Sequence, residues 1–353
     1  MAITLGVLDQ SPIRRGGTAA EAIEETLQLA QATERLGYTR YWLAEHHNST
    51  GLACAAPEIL IPRVASVTSR IRVGSGGVML PHYSTLKVAE QFRMLETMFP
   101  GRIDLGLGRA PGTDGRTSAA LAQGPGMRNV EHYPRQVADL MRLLRDELPE
   151  GHPLTGIHAQ PRGESVPTPW LLGSSLDSAS TAAEQGLPFS FAHFIHAEWA
   201  GEAITLYRRL FRPSQWLDKP LVNAGVSALC AETDEEAERL AMSRWLWRLR
   251  NRQGLRIGVP PPDDPEVERL SQPELDFIEY QKQTSLVGGP QRLRDRLEAL
   301  AVELEVDEFV VVTITYDYDD RLRSYELLAE EFGLSEANSA DDRSLSQRRP
   351  VAS

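Results

Sequence analysis

The sequence predicts a (β/α)8 barrel of the TIM type with an inserted mobile loop after the seventh strand. Three observations carry that prediction. Short apolar runs alternate with segments of helical apolar spacing, the pattern of parallel βαβ units. Eight such runs, each with an intervening or following helix, fit a closed barrel better than an open sheet. Several runs end in residues that a buried strand would not choose. Residues 41–44 end in Glu45-His46-His47, Ile71-Arg72-Val73 runs into Gly74-Ser75-Gly76-Gly77, and residues 103–108 end at Arg109. Parallel β/α folds bind ligands at the carboxyl ends of their strands, so these residues mark a site.

Residues 3–8 form the first strand, followed by Asp9-Gln10-Ser11-Pro12. Thr18 caps a helix with Ala22, Leu27, Ala30 and Leu36 on its apolar face, and Gly37 stops it. Residues 57–68 and 84–99 are the helices between the next three strands. Residues 110–126 form a long loop rich in Gly, Pro and Ser; 133–148 are helical, with Val137, Leu140, Met141 and Leu144 on one stripe. Residues 151–167 read as irregular. Trp170-Leu171-Leu172-Gly173 is a buried strand that leads through serines into a helix ending near Gln185. Residues 189–194 and 222–230 are the sixth and seventh strands, followed by helices at 197–211 and 235–249. The stretch 251–280, with Pro260-Pro261-Pro262 and many charges, interrupts the alternation, so 251–285 reads as a lid-like insertion. Leu286-Val287-Gly288-Gly289-Pro290 restarts the order, with Pro290 suited to a first helical turn. Residues 308–315 are the eighth strand and 321–332 the closing helix. Residues 1–335 are therefore expected to form one barrel domain, and the polar residues 336–353 a disordered tail.

Composition narrows the function. Lys plus Arg is 37 against 49 Asp plus Glu, a net charge of −12, which argues against nucleic acid or anionic membrane as partner. The two cysteines, Cys54 and Cys230, form no CxxC pair, so neither a disulfide framework nor a thiolate metal site is expected. The N-terminus lacks the pattern of a signal peptide and no run is long enough to span a membrane, so a cytoplasmic location is expected.

Glu45-His46-His47 suits acid–base chemistry near neutral pH, and alternation places Trp42, Ala44 and His46 on one face. His193-Phe194-Ile195-His196 has metal-like spacing but no evident third ligand, so no metal is expected. Gly106-Leu107-Gly108-Arg109-Ala110-Pro111-Gly112 narrowly misses the dinucleotide fingerprint: its third glycine is one place late and it opens a loop, not a helix. Gly106 and Gly108 share a strand face and would leave room for a large flat ligand; simple packing economy is the competing reading. Gly76-Gly77 offers similar space and a free backbone. Ser174, Ser175 and Ser178 open a helix, where hydroxyls and N–H groups either bind phosphate or serve as an ordinary cap.

Together these pieces resemble the bacterial luciferase-like, flavin-dependent monooxygenases. The resemblance covers about residues 5–332 and is densest from 41 to 112. It rests on Glu45-His46-His47, on residues 73–81 and 101–109, on the segment from Ser174 to Ala179, and on the late Val-Gly-Gly-Pro turn, in family order. It implies a barrel that binds reduced FMN at the C-terminal face and uses O2 through a C4a-peroxyflavin to oxygenate a small organic substrate. His46 matches the family's catalytic histidine and Gly76-Gly77 a cis peptide beside the ring. Arg109, Ser175 and Ser178 match phosphate contacts, with Ser174 in the same segment. The 251–280 stretch matches the family's mobile loop. Family members draw reduced flavin from a separate NAD(P)H flavin reductase and commonly form homodimers. Luciferase proper has glutamate where Ser174 stands and alanines at the paired glycines, so the resemblance is to the family and not to luciferase itself. Competing readings are a deazaflavin- or flavin-dependent dehydrogenase of the same superfamily and a non-catalytic flavin-binding protein; the His46-His47 pair favours the FMN branch.

Overall fold

The computed structural model describes residues 3–110, 112–121 and 130–335. The expected tail at 336–353 and part of the 110–126 loop lie outside the described residues. Strands β1 (Thr4–Asp9), β2 (Arg40–Leu43), β3 (Arg72–Met79), β4 (Ile103–Gly108), β5 (Thr168–Gly173), β6 (Phe189–Ala192) and β7 (Val222–Cys230) follow one another around the sheet. A short β8 (Leu286–Gly288) pairs with the end of β7, and β9 (Glu308–Val312) lies between β7 and β1. Because β6 also pairs with β7, and all pairings are parallel, the strands other than β8 close into a barrel.

The helices are α1 (Ala19–Leu36), α2 (Pro57–Val67), α3 (Thr85–Met98), α4 (Gly115–Leu121), α5 (Tyr133–Arg145), α6 (Leu176–Glu184), α7 (Ala200–Leu210), α8 (Asp234–Arg252), α9 (Gln272–Thr284), α10 (Pro290–Leu304) and α11 (Tyr318–Phe332). Local chemistry sets their ends. Thr18 and Glu21 form a capping box on α1, and Gly37 closes it at a φ of 89°.

Two apolar layers hold the barrel. The larger lies between strands and helices and includes Leu5, Tyr41, Val73, Leu105, Phe189 and Phe309. The inner one joins Leu8, Trp42, Trp170 and Val310, from four different strands. Below it, at the amino ends of the strands, sits a buried ionic layer. Arg40 pairs with Asp104 at 2.7 Å and Glu308 at 2.6 Å, and Arg72 pairs with Asp104 at 2.6 Å. Trp42 Nε1 donates to Asp104 at 2.9 Å, and the Arg40 guanidinium lies over the rings of Trp42 and Trp170. Burial alone would raise the Asp104 carboxyl; Arg72 and Arg40 more than offset it and hold it below the ordinary carboxylate range.

Two expectations change. The 251–280 stretch is not irregular throughout: α8 runs to Arg252, and α9 begins at Gln272 behind a capping box of Ser271 and Glu274. The segment between them is tied down, since Val259 exchanges backbone hydrogen bonds with Ile13 and Arg15, and Arg256 pairs with Asp114. Nor does α8 behave as an ordinary outer helix. Its Trp247 packs into the inner barrel layer, while Leu240, Trp245 and Leu249 pack with Ile278 of α9 and Val287 of β8.

Candidate active site

The strands deliver their last residues to two cavities at the carboxyl end of the barrel. The larger encloses about 750 Å³. Leu8, Trp42, Leu172 and Val310 form its apolar walls, Gly76, Gly77 and Gly108 its glycine side, and Arg109, Ser174, Ser175 and Ser178 its polar end. The smaller encloses about 570 Å³ and is lined by His46, His47, Arg244, Trp247 and Arg248 among others. Phe194 and Ile195 line both. Volumes of this size fall in the range of roughly 300–1,000 Å³ usual for small-molecule sites.

At the β3 end the Gly76–Gly77 peptide is cis, and the register between β3 and β4 shifts between Ser75 and Val78. A Cβ on Gly76 would stand 2.5 Å from Leu8 Cδ1 and 3.0 Å from Trp42 Cβ, both on residues of the larger cavity's wall. Glycine is therefore required at position 76 by the close packing of Leu8 and Trp42 against it, while both glycines line the cavity. Gly106 is different. A Cβ there would stand 2.0 Å from the Ser75 carbonyl oxygen, and Gly106 is not part of the cavity lining. Close strand approach, not room for a ligand, requires that glycine, whereas Gly108 does line the cavity.

The polar end is built on α6. Ser175 is its N-cap: its hydroxyl accepts from the Ser178 N–H at 3.3 Å, and the Ser178 hydroxyl donates to the Ser175 carbonyl at 2.7 Å. Arg109 reaches across from the end of β4 to Asp177 at 3.3 Å. The one cation, Arg109, together with the hydroxyls and helix N–H groups suits an anionic group, which would compete with Asp177 for the guanidinium. They do not discriminate among anions.

Glu45 organises the loop after β2. It is fully buried and accepts from the Met79 N–H at 3.0 Å and the Tyr83 hydroxyl at 2.8 Å. It also pairs with His47 Nε2 at 2.7 Å. His47 is thereby committed to structure. His46 is held by its backbone, which donates to the Cys54 carbonyl at 3.0 Å, while its ring Nδ1 is buried without a hydrogen-bond partner. Burial, and then His47, push its pKa down to about 4, so the imidazole is neutral at pH 7.

The structure thus gathers Gly76, Gly77, Arg109, Ser174, Ser175 and Ser178 around one cavity and sets His46 on the neighbouring one. His193 and His196 join no cluster; among the described residues no three His, Cys, Asp or Glu side chains could hold a metal. Sequence reasoning missed Phe194, Trp199, Arg244, Trp247 and Arg248. The available signal was the pair Arg244 and Arg248, one helical turn apart within a run of Trp and Leu.

Fold and site together define a (β/α)8 barrel with its pocket at the carboxyl ends of the strands. Residues 3–308 match the luciferase-like monooxygenase family. The chain belongs to that family and is an oxidoreductase. It is similar to the N-acetyl-S-alkylcysteine monooxygenase of Bacillus subtilis (strain 168), with 36% identity over 334 residues, 93% of this chain and 98% of the relative. Among solved structures, apo-MsnO8 is 39% identical with a TM-score of 0.82, covering 94% of this chain and 98% of that one. The oxygenating constituent of 3,6-diketocamphane monooxygenase from Pseudomonas putida, in complex with FMN, shares the fold at 20% identity. Its TM-score is 0.71, over 95% of this chain and 98% of that one.

Proposed function

We propose that the protein is a flavin-dependent monooxygenase that takes reduced FMN in the larger cavity and oxygenates a small organic substrate in the smaller. The observation that carries this reading is the pair of adjoining cavities. One has a glycine side, apolar walls and a polar end with Arg109, serine hydroxyls and a helix N-terminus; the other presents a neutral, largely buried histidine. The lining residues fit FMN. Leu8, Trp42, Gly76, Gly77 and Val310 would hold the ring system, and Arg109, Ser174, Ser175 and Ser178 the phosphate. When bound, reduced flavin supplies the two electrons with which O2 gives one oxygen atom to substrate and the other to water. An FMN complex with the same fold and a relative named for an N-acetyl-S-alkylcysteine support this choice of cofactor and substrate size.

The chain's own contribution follows from the site. His46 stays neutral and is placed to take or give a proton at its ring nitrogen. Glu45 fixes His47 and the loop that carries His46. Apolar walls limit water around the reacting groups. Reduced flavin would come from a separate NAD(P)H flavin reductase, as the family resemblance implies and in keeping with a sequence in which no nicotinamide fingerprint is recognised.

Titration of the purified protein with FMN, riboflavin and the deazaflavin cofactor tests the reading, together with oxygen uptake in the presence of reduced FMN. FMN is expected to bind most tightly. Absence of FMN binding at high micromolar concentration, or preference for the deazaflavin, would sink it.

A further inference from the structure

The smaller cavity contains a charge arrangement that folding alone does not explain. Arg244 and Arg248 lie one turn apart on α8 and both line it. Arg244 is 9% exposed, and its Nε is enclosed without a hydrogen-bond partner. Arg248 is half-buried. Among the described residues neither guanidinium has a carboxylate, carbonyl or hydroxyl partner. The neighbouring Arg256 does: it pairs with Asp114 at 2.6 Å. Among the described residues Asp114 is the one carboxylate on the cavity wall, and it is further engaged by Asn48 and Thr117. His46 and His47 add no negative charge, and Glu45 behind them is occupied by three donors.

Two like charges at this spacing repel, and burial adds to the cost of keeping them charged. The effect is visible on Arg244, whose pKa burial, then Arg248, pull down to about 9. Burial lowers Arg248 as well. Of the other buried arginines, Arg40 is matched by Asp104 and Glu308 and Arg321 by Asp9 at 2.5 Å, while Arg93 donates to the backbone carbonyls of Pro161 and Leu144. An unmatched pair facing a cavity is a counter-charge site awaiting its anion.

We propose that Arg244 and Arg248 bind an anionic head group of the substrate, a carboxylate in a small organic acid. The tail then extends along Trp247, Phe194 and Ile195 toward the larger cavity. This rests on the reading of the smaller cavity as the substrate site of the monooxygenase. It assigns a substrate class, an organic anion with an apolar, oxidisable portion, and two specificity-determining residues.

The test is a binding experiment on flavin-free protein near neutral pH, using hexanoate and its neutral counterpart hexanamide. Calorimetry gives the affinity. Hexanoate is expected to bind about tenfold or more tightly than hexanamide. Arg244→Gln and Arg248→Gln should each remove most of that preference, weakening hexanoate far more than hexanamide. The half-buried Arg248 supplies the answer if the Arg244 variant folds poorly. Equal binding of acid and amide to the wild-type protein, or an unchanged preference in both variants, would overturn the proposal. FMN titrated in parallel separates the two readings: no FMN binding beside intact discrimination for hexanoate would count against the flavin and still support the anion site.

Discussion

His46 should make the stability of the fold depend on pH in a defined window. Folding lowers its pKa from 6.5 to about 4, chiefly by burial. The native state therefore resists protonation, while the unfolded chain takes a proton near its ordinary value. Between these two values the unfolded state binds more protons, so stability falls as pH falls. The contribution is fully present above about pH 6.5 and lost as pH drops toward about 4. At about 1.4 kcal/mol per pH unit, the full swing is about 3 kcal/mol, with about 2 kcal/mol already gone at pH 5. His46 keeps an edge on the smaller cavity, so solvent there makes this an upper value. Urea denaturation of the wild type and of His46→Gln, at several pH values from about 7.5 to 4, reads the difference. The wild type should lose more stability than the variant across this window. Parallel pH profiles would show that the ring is solvated in the folded state and that the argument from burial is wrong.

Three other outcomes follow from the same geometry. Arg109→Ala and Ser175→Ala should each weaken FMN binding by roughly 10- to 100-fold, the loss of a charged hydrogen bond, with riboflavin much less affected; equal losses for both flavins would place these residues elsewhere. With reduced FMN supplied directly, His46→Ala should lower substrate oxidation by about 100- to 10,000-fold while FMN still binds, and normal turnover would remove the histidine from the chemistry. Arg40→Ala strips Asp104 and Glu308 of a shared buried cation and should cost about 3–5 kcal/mol in chemical denaturation; a loss under 1 kcal/mol would mean that water or Arg72 compensates.

Much of the barrel was legible because its signals are local. Each apolar run is short, and Thr18, Gly37 and Pro290 punctuate helices by their own backbone chemistry. The candidate residues that line the cavities stood out for a related reason: a histidine, a glycine pair or an arginine at the end of a buried run is not what an apolar strand would choose. What failed was whatever depends on the partner across the gap. Gly106 looks like Gly108 in the sequence, but only one of them faces the Ser75 carbonyl at close range. The α8 helix reads as an ordinary barrel helix because its order along the chain fits. Its place at the mouth depends on Trp247 joining the apolar cluster that also contains Trp42 and Val310. Helix α9 was hidden by its prolines and charges, although Ser271 and Glu274 stand at capping-box spacing. Arg244 and Arg248 resemble a solvated charged face until the cavity beside them is seen.

The ionic layer beneath Trp42 and Trp170 gives the barrel a closed end. Arg40, Asp104, Arg72 and Glu308 stopper the end away from the site, so the shaft is blind. The two cavities lie at the opposite end, which carries His46 and Arg109. The two cavities there share Phe194 and Ile195, so whatever occupies one is a direct neighbour of whatever occupies the other.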